Sequence, residues 1–202
     1  MKRKHRAADR DGWETLKSET HFESDHLTVV TEDVRGPDCP KTRSWTVVYR
    51  KAAVVVAPMT ADGELILICQ ERIPIRSSLW ELPAGQIDDE GGDEISRAQR
   101  VALRELREET GYELAPAGEL VSLGDFFSSP GFTNEHAYLF LARPVELSAD
   151  GPAHDESESI SDCRSFSPVE IAQMVETNII RDANTLAVCA RLLARGLLSL
   201  RG

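Results

Sequence analysis

A chain of 202 residues with 41% apolar content is long enough for one hydrophobic core, so we expect one domain, or one domain with an appendage. Its formal net charge of -11 argues against a protein that coats nucleic acid and against one that binds an anionic membrane surface. Four widely spaced cysteines, no transmembrane stretch and no apolar segment after the basic N-terminus predict a cytoplasmic protein with no nucleic-acid or membrane partner.

The first part of the chain has the pattern of β-strands. Residues 26–31 and 44–49 are rich in β-branched side chains and flank a turn at 36–38. Two further strands, 52–56 and 64–68, follow after a soft boundary near Lys51, and the first of them is apolar enough to be buried on both faces. We therefore predict an N-terminal β appendage over residues 1–50 and a main domain over residues 51–202.

The apolar period changes from strand to helix at about Ser96 and stays helical to Thr110, with Gly111 at the capping position. We expect the helix to pack on the core through one stripe: Ala102, Leu103 and Leu106. Later segments are predicted as strands at 120–127 and 136–142, a loop at 148–161, and helices at 168–177 and 183–200. This order predicts a mixed α/β sandwich.

Three glutamates lie close together in the predicted helix. Glu105, Glu108 and Glu109 are spaced i, i+3 and i+4, so their carboxylates are expected to project from one face. Like charges at this spacing destabilise a helix, and a hard divalent cation such as Mg2+ would offset that cost. The alternative is that they are solvated surface acids paired with Arg104 and Arg107.

Two segments resemble the Nudix box: Leu-Pro-Ala-Gly at 82–85 and Arg-Glu-Leu-Arg-Glu-Glu-Thr-Gly-Tyr at 104–112. The second segment matches the family pattern R-E-U-x-E-E-x-G-U, with U apolar, at every specified position if Tyr112 counts as the final bulky residue. The resemblance implies a pyrophosphohydrolase with the Nudix α/β/α sandwich and an N-terminal β appendage.

The same resemblance implies roles for four residues. The Ala84 carbonyl, Glu105 and Glu109 are expected to be metal ligands, and Glu108 is expected to share the metals or to position water. The implied cofactor is Mg2+, with Mn2+ as an alternative.

The loop inside the box is longer than the family pattern. Eighteen residues separate Gly85 from Arg104, whereas the family has thirteen, so the first glutamate of the box falls at Ser96. Three acids in the extended segment are candidates to replace it: Glu90, Asp93 and Glu94.

A segment after the box, Ser129 to Glu135, resembles the S-P-G-x-x-x-E loop of ADP-ribose pyrophosphatases. The resemblance implies that Glu135 helps to activate the attacking water and that Gly131 lies at the substrate. The alternative for Glu135 is a surface acid at the edge of a strand.

A third similarity to this subfamily is the Q-x-R segment at 70–72. It implies that Arg72 binds a substrate phosphate, a task that suits the bidentate guanidinium. The alternative is a salt bridge at the rim of the site, to Glu71 or Glu81.

Two tryptophans in the N-terminal region resemble those that sandwich adenine in ADP-sugar pyrophosphatases, partly across a dimer interface. Trp45 ends a T-R-x-W segment, and Trp13 follows Asp11 and Gly12. Indole rings stack well on purines. The resemblance implies a homodimer formed by the appendage, while the alternative for both tryptophans is packing within it.

Together these similarities predict Mg-dependent hydrolysis of ADP-ribose or a related ADP-sugar to AMP and a sugar phosphate. The alternatives are hydrolysis of another nucleotide sugar such as GDP-mannose, hydrolysis of a dinucleotide, and a non-catalytic ADP-ribose sensor.

Overall fold

The computed structural model describes residues 9–88, 91–152 and 159–199. Its strands are β1 Glu14–Glu23, β2 Leu27–Gly36, β3 Cys39–Arg50, β4 Ala53–Pro58, β5 Leu65–Arg72, β6 Ser77–Glu81, β7 Ala84–Gln86, β8 Tyr112–Phe127, β9 His136–Leu147 and β10 Ile160–Phe166. Its helices are α1 Glu94–Thr110, α2 Pro168–Glu176 and α3 Ala183–Ala194, and a single 3-10 turn covers Ile73–Ile75.

The described residues divide into two compact units. One contains the chain up to Ala52 together with Phe127–His136, and the other contains Ala53–Phe126 and the chain from Ala137 onward. The division assigns the 127–136 segment to the same unit as the N-terminal strands. The predicted boundary near Lys51 did not include this segment.

The first unit is built on an antiparallel sheet in the order β1-β2-β3. The chain reverses at Gly36, where the predicted turn joins β2 to β3. The 127–136 segment joins this unit through a hydrogen bond from the Val48 N–H to the Phe132 carbonyl, 2.8 Å long. Most side chains of β1 are exposed, so this strand contributes little to the core.

The second unit has two sheets, in the orders β7-β4-β9-β8 and β10-β5-β6. Successive side chains of β4 enter two different cores, because side chains alternate across a strand. Val54 and Val56 pack with α1, whereas Val55 packs with residues of α2 and α3. Helices therefore cover both faces, which confirms the α/β/α sandwich and the prediction of a strand buried on both sides.

Helix α1 begins two residues before the predicted start. The Asp93 carboxylate accepts hydrogen bonds from the Ser96 N–H and hydroxyl, and so caps the helix. At the other end Gly111 adopts a φ of 73°, the left-handed conformation that ends a helix without a side-chain clash. Leu103 is 39% exposed, so its predicted place in the core stripe is wrong, whereas Ala102 and Leu106 are buried.

Two other boundaries differ from the prediction. Strand β10 begins at Ile160, inside the segment predicted as a loop, because its polar sequence is paired along β5, some ninety residues earlier in the chain. Helix α3 ends at Ala194 and not near residue 200, since Gly196 adopts a positive φ of 65° just beyond it. In the described part of the chain, no helix is long and apolar enough to cross a membrane.

Candidate active site

Helix α1 turns two of its three box glutamates into the protein. Glu105 is 6% exposed and Glu109 is 1% exposed, so these two are not solvated surface acids. The side chain of Glu108 is 42% exposed, and its Oε2 lies 3.6 Å from Nε of Arg104. The alternative of a solvated acid paired with Arg104 therefore describes Glu108 but not the other two.

The segment that begins β7 lies directly against these carboxylates. The Ala84 N–H donates a hydrogen bond of 2.9 Å to Oε2 of Glu109. A Cβ on Gly85 would lie 2.2 Å from both Cδ and Oε1 of Glu105, so only glycine leaves space for that carboxylate. Strand β7 is fixed by its pairing with β4, and the backbone of the box loop therefore meets the acidic face of α1.

Arg104 neutralises part of this negative charge. Its Nη2 donates to Asp88 Oδ1 at 2.9 Å and to Glu105 Oε1 at 3.1 Å. Burial would lower the pKa of Arg104, but the hydrogen bonds to Asp88 and Glu105 outweigh it and hold the pKa above its ordinary value. The arginine of the box is thus a permanent cation beside a buried carboxylate.

Two of the three candidates to replace the missing glutamate of the box, Asp93 and Glu94, lie at the start of α1. Asp93 caps the helix through Ser96, and Glu94 forms a hydrogen bond with Tyr138. Glu90 lies outside the described residues. Asp93 and Glu94 both have structural partners of their own.

The donor atoms of this site suit a hard cation. In the described part of the chain, no group of three or more acidic, His or Cys side chains could hold a metal ion as it stands. Magnesium, however, is usually held by one or two carboxylates, with water and substrate phosphate completing its octahedron. Two buried carboxylates, Glu105 and Glu109, beside the backbone at Ala84 therefore fit Mg2+ as candidate ligands.

Arg72 forms an ion pair with Glu81, one of the two salt-bridge partners considered as the alternative to phosphate binding. Its Nε donates to Glu81 Oε1 at 2.8 Å and its Nη2 donates to Oε2 at 2.7 Å. Burial raises the pKa of Glu81, although Arg72 acts in the opposite direction. Burial likewise lowers the pKa of Arg72, but Glu81, and to a smaller extent Glu109, raise it above its ordinary value. Phosphate binding by Arg72 stays a prediction, compatible with this pair.

In the first unit, Glu135 is held by two side chains. It forms an ion pair with Arg50, and its Oε2 accepts a hydrogen bond of 2.8 Å from the Ser128 hydroxyl. The neighbouring Asn134 side chain accepts a bond from the backbone N–H of Arg50. Glu135 is therefore not a lone surface acid. No sequence motif marks Arg50, and its partner Glu135 is 85 positions away in the chain, so the sequence alone does not predict this pair.

Both predicted adenine-binding tryptophans lie at the surface of the first unit. Trp45 is 55% exposed, and its Nε1 donates a hydrogen bond of 2.9 Å to the carbonyl of Gly131. Trp13 is also about half exposed, with the Arg43 guanidinium 5.5 Å from its ring centroid. Neither ring is buried in the core, and Trp45 contacts the loop that carries the predicted substrate residue Gly131.

Comparison with known proteins identifies the family of the chain. The NUDIX domain model matches residues 48–188. The chain is 32% identical to an ADP-ribose pyrophosphatase of Bacillus subtilis over 85% of this chain and 87% of that protein. It is 30% identical to a methanol dehydrogenase activator of Bacillus methanolicus, over 85% and 88%.

The fold is also similar to that of a solved structure, described as a crystal structure of an ADP compounds hydrolase. The TM-score is 0.73 at 20% sequence identity, over 95% of this chain and 96% of that one. At this identity the likeness supports the fold alone. Together with the domain match and the buried carboxylates of the box helix, these similarities show that the chain belongs to the Nudix family and is a pyrophosphohydrolase.

Proposed function

We propose that this enzyme hydrolyses the pyrophosphate of ADP-ribose or a related ADP-sugar, with Mg2+, to AMP and a sugar phosphate. The observation that carries the proposal is the pair of buried carboxylates, Glu105 and Glu109, held against the backbone of Ala84 and Gly85. The similarity to an ADP-ribose pyrophosphatase supports the choice of substrate.

In this mechanism Glu105, Glu109 and the Ala84 carbonyl would hold the metal, and Glu108 would share it or position water. Bound Mg2+, or Mn2+ in its place, would supply neutralisation of phosphate charge and a lower pKa for the attacking water. Arg72 binds a phosphate oxygen through its guanidinium.

The chemical step is attack by water oxygen on one phosphorus of the diphosphate. The new bond forms as the bond from that phosphorus to the bridging oxygen breaks, and the electron pair leaves with the second phosphate. Glu135 or Glu108 accepts the proton of the water. For ADP-ribose the two products are AMP and ribose 5-phosphate.

The adenine would stack on Trp45 and Trp13, whose exposed rings support this role. Gly131 would act through its carbonyl, which orients the indole of Trp45. Because the two rings belong to the N-terminal part of the chain, we assign base recognition to the appendage over residues 1–50 and chemistry to residues 51–202.

We also propose that the appendage forms a homodimer. Four large apolar side chains of the appendage are exposed, which favours association with a second copy: Trp13, Leu16, Phe22 and Trp45. Light scattering after size exclusion should give twice the mass of the chain at micromolar concentration, and a monomer would refute this assignment.

The four free cysteines support a reducing, cytoplasmic location.

A substrate panel tests the proposed reaction. Purified enzyme with Mg2+ is incubated with ADP-ribose, ADP-glucose, GDP-mannose and a dinucleotide such as NAD+, and the products are separated by chromatography. We expect AMP and ribose 5-phosphate as the fastest products, with no turnover in a chelator. Faster release of GMP from GDP-mannose, or of two mononucleotides from NAD+, would select one of the alternatives.

A non-catalytic role is the remaining candidate. The buried pair Glu105 and Glu109 favours turnover over an ADP-ribose sensor, since a sensor has no need for catalytic carboxylates. The similarity to a methanol dehydrogenase activator raises activation of a dehydrogenase as a second function. Adding the enzyme, or its Glu109→Gln variant, to an alcohol dehydrogenase assay would show whether activation occurs and whether it requires hydrolysis.

A further inference from the structure

Arg72 and Glu81 form a bidentate ion pair that fixes the orientation of the Arg72 guanidinium. The two side chains come from adjacent antiparallel strands, β5 and β6, and meet through two hydrogen bonds of 2.8 and 2.7 Å. This fork uses Nε–H and one N–H of Nη2. A guanidinium has five N–H groups, so three remain for another ligand. In the described part of the chain, Nη1 of Arg72 makes no hydrogen bond.

The two partners differ in exposure. The Glu81 side chain is 4% exposed, whereas that of Arg72 is 38% exposed. The carboxylate is therefore the fixed, interior member, and the guanidinium is the member that a ligand could reach. The position of Glu81 is further fixed by the next residue, since the Leu82 N–H donates a hydrogen bond to Thr185 Oγ1 at the start of α3.

Stability alone does not account for burying this carboxylate. Burial raises the pKa of Glu81 even with Arg72 beside it, so the charged form is held at a cost. Well-packed apolar side chains commonly replace a buried ion pair without loss of stability. Here the buried Glu81 carboxylate fixes the accessible Arg72 guanidinium. This arrangement is expected where the orientation of the guanidinium toward a ligand matters.

The surroundings of the pair indicate a ligand on the same face of the sheet. Gln70 lies two residues before Arg72, so it points to the same side of β5. It is 6% exposed, and its Oε1 has no hydrogen-bond partner among the described residues, an uncommon state for a buried amide. Arg72 is also within electrostatic reach of Glu109, which connects this face with the candidate metal ligands.

We propose that Glu81 is a positioning residue that orients the Arg72 guanidinium toward the substrate diphosphate. This inference rests on the proposed phosphate contact of Arg72. Glu81 itself does not touch the substrate. It removes rotational freedom from the arginine before the substrate binds. Substrate binding therefore does not lose affinity through the entropy cost of ordering that side chain.

A double-mutant cycle tests the proposal. Glu81→Gln should lower kcat/KM by about tenfold, chiefly through a higher KM, because a flexible guanidinium binds phosphate less well. In the Arg72→Ala background the same change should alter kcat/KM by less than about twofold, since nothing remains to be positioned. Equal losses in both backgrounds would overturn the proposal.

A matched control separates positioning from general damage to the sheet. Asp162→Asn removes a carboxylate that pairs with Arg164 on β10 of the same sheet, and it should leave kcat/KM and the melting temperature unchanged. Glu81→Gln should melt near the wild-type temperature, because Arg72 can still be solvated. A fall in melting temperature that parallels the fall in activity in both backgrounds would assign Glu81 a purely structural role.

Chemical rescue gives a second measurement if Glu81→Gln alone does not fold. Free guanidinium ion at millimolar concentration should restore part of the activity of Arg72→Ala, because Glu81 offers it the same fork. It should not restore Arg72→Ala/Glu81→Leu, which leaves no buried charge unpaired. Equal rescue of both variants would contradict the role of Glu81.

These measurements use whichever nucleoside diphosphate compound the wild type hydrolyses fastest. If ADP-ribose is not that compound, the proposed substrate fails while the cycle is still decisive. If the wild type hydrolyses ADP-ribose and the cycle is additive, the inference fails and the proposed function stands.

Discussion

The acidic face of α1 and the first, N-terminal unit differ in how exposed their candidate functional side chains are. Glu105 and Glu109 are buried. The Glu105 carboxylate packs against Gly85, and the Glu109 carboxylate accepts a hydrogen bond from the Ala84 N–H. In the N-terminal unit, Trp13 and Trp45 are about half exposed. The two carboxylates assigned to the metal, Glu105 and Glu109, are thus embedded in the core of their unit, whereas the two rings assigned to base recognition lie on a surface.

This difference has a physical reason. A catalytic carboxylate must be held close to one geometry, and only packed surroundings can do this. A stacking ring needs an open face, because the base must reach it. We therefore expect changes at Glu105 and Glu109 to cause the largest losses of turnover, and changes at Trp13 and Trp45 to weaken substrate binding. A change that removes only one of the two side chains holding Glu135 should cause a small loss.

The largest effect is expected at Glu109. Glu109→Gln should lower kcat by about a hundredfold or more, because it removes a metal-binding charge. The amide oxygen can still accept the hydrogen bond from Ala84, so circular dichroism and melting temperature should change little. The exposed Glu113→Gln is the matched control and should retain full activity. Unchanged product release by Glu109→Gln would refute the site.

A methyl group on Gly85 should have the next largest effect. Gly85→Ala places Cβ 2.2 Å from the Glu105 carboxylate, which must move, and displacement on this scale should lower kcat by about tenfold to a hundredfold. The same change in a Glu105→Ala background should cause no further loss, because the clash is gone. Steady-state kinetics of the four proteins decides this, and an equal loss in both backgrounds would show that the glycine acts in another way.

For the exposed region, Trp45→Ala should raise KM for ADP-ribose by about tenfold with a smaller change in kcat, through loss of base stacking. Trp45→Phe keeps an aromatic ring but loses the hydrogen bond to the Gly131 carbonyl, so its KM should lie between those of the wild type and of Trp45→Ala. Val169→Ala, which truncates an equally exposed apolar side chain on α2, serves as the control. A KM unaffected by Trp45→Ala would remove adenine stacking from the account.

The smallest effect is expected at Ser128. Ser128→Ala removes one hydrogen bond to Glu135 and leaves the ion pair with Arg50, so kcat should fall by only about twofold to fivefold. Ser18→Ala removes a comparable hydroxyl bond, to Glu32, and should have no effect on kcat. A hundredfold loss for Ser128→Ala would mean that Arg50 does not hold Glu135 in the working enzyme.

The sequence predicts local features well, because periodicity and capping chemistry act over short distances. Helix α1 and its glutamates follow from spacing alone, and the Gly111 cap follows from its position. The pairing of Arg72 with Glu81 was one of two open alternatives, since it depends on the register between β5 and β6. Strand β10 and the partnership of Arg50 with Glu135 were missed, because both join segments that are far apart in the chain.

The exposure of Glu108 is another feature that the sequence does not predict, because it depends on tertiary packing. Spacing placed all three acids on one face of α1, but only the packing of β7 and β4 against the helix decides which carboxylates are buried. The sequence therefore predicts where a metal site could form. The tertiary contacts determine that Glu105 and Glu109 are the buried carboxylates, the two that we propose as metal ligands.

Calorimetric titration of Mg2+ into the enzyme, with a non-hydrolysable ADP-ribose analogue present, tests the central claim most directly. We predict saturable uptake by the wild type and its loss in Glu105→Gln/Glu109→Gln, with both proteins folded by circular dichroism. Equal uptake by the two proteins, or none by the wild type, would contradict the assignment of these carboxylates to a metal that acts on a diphosphate.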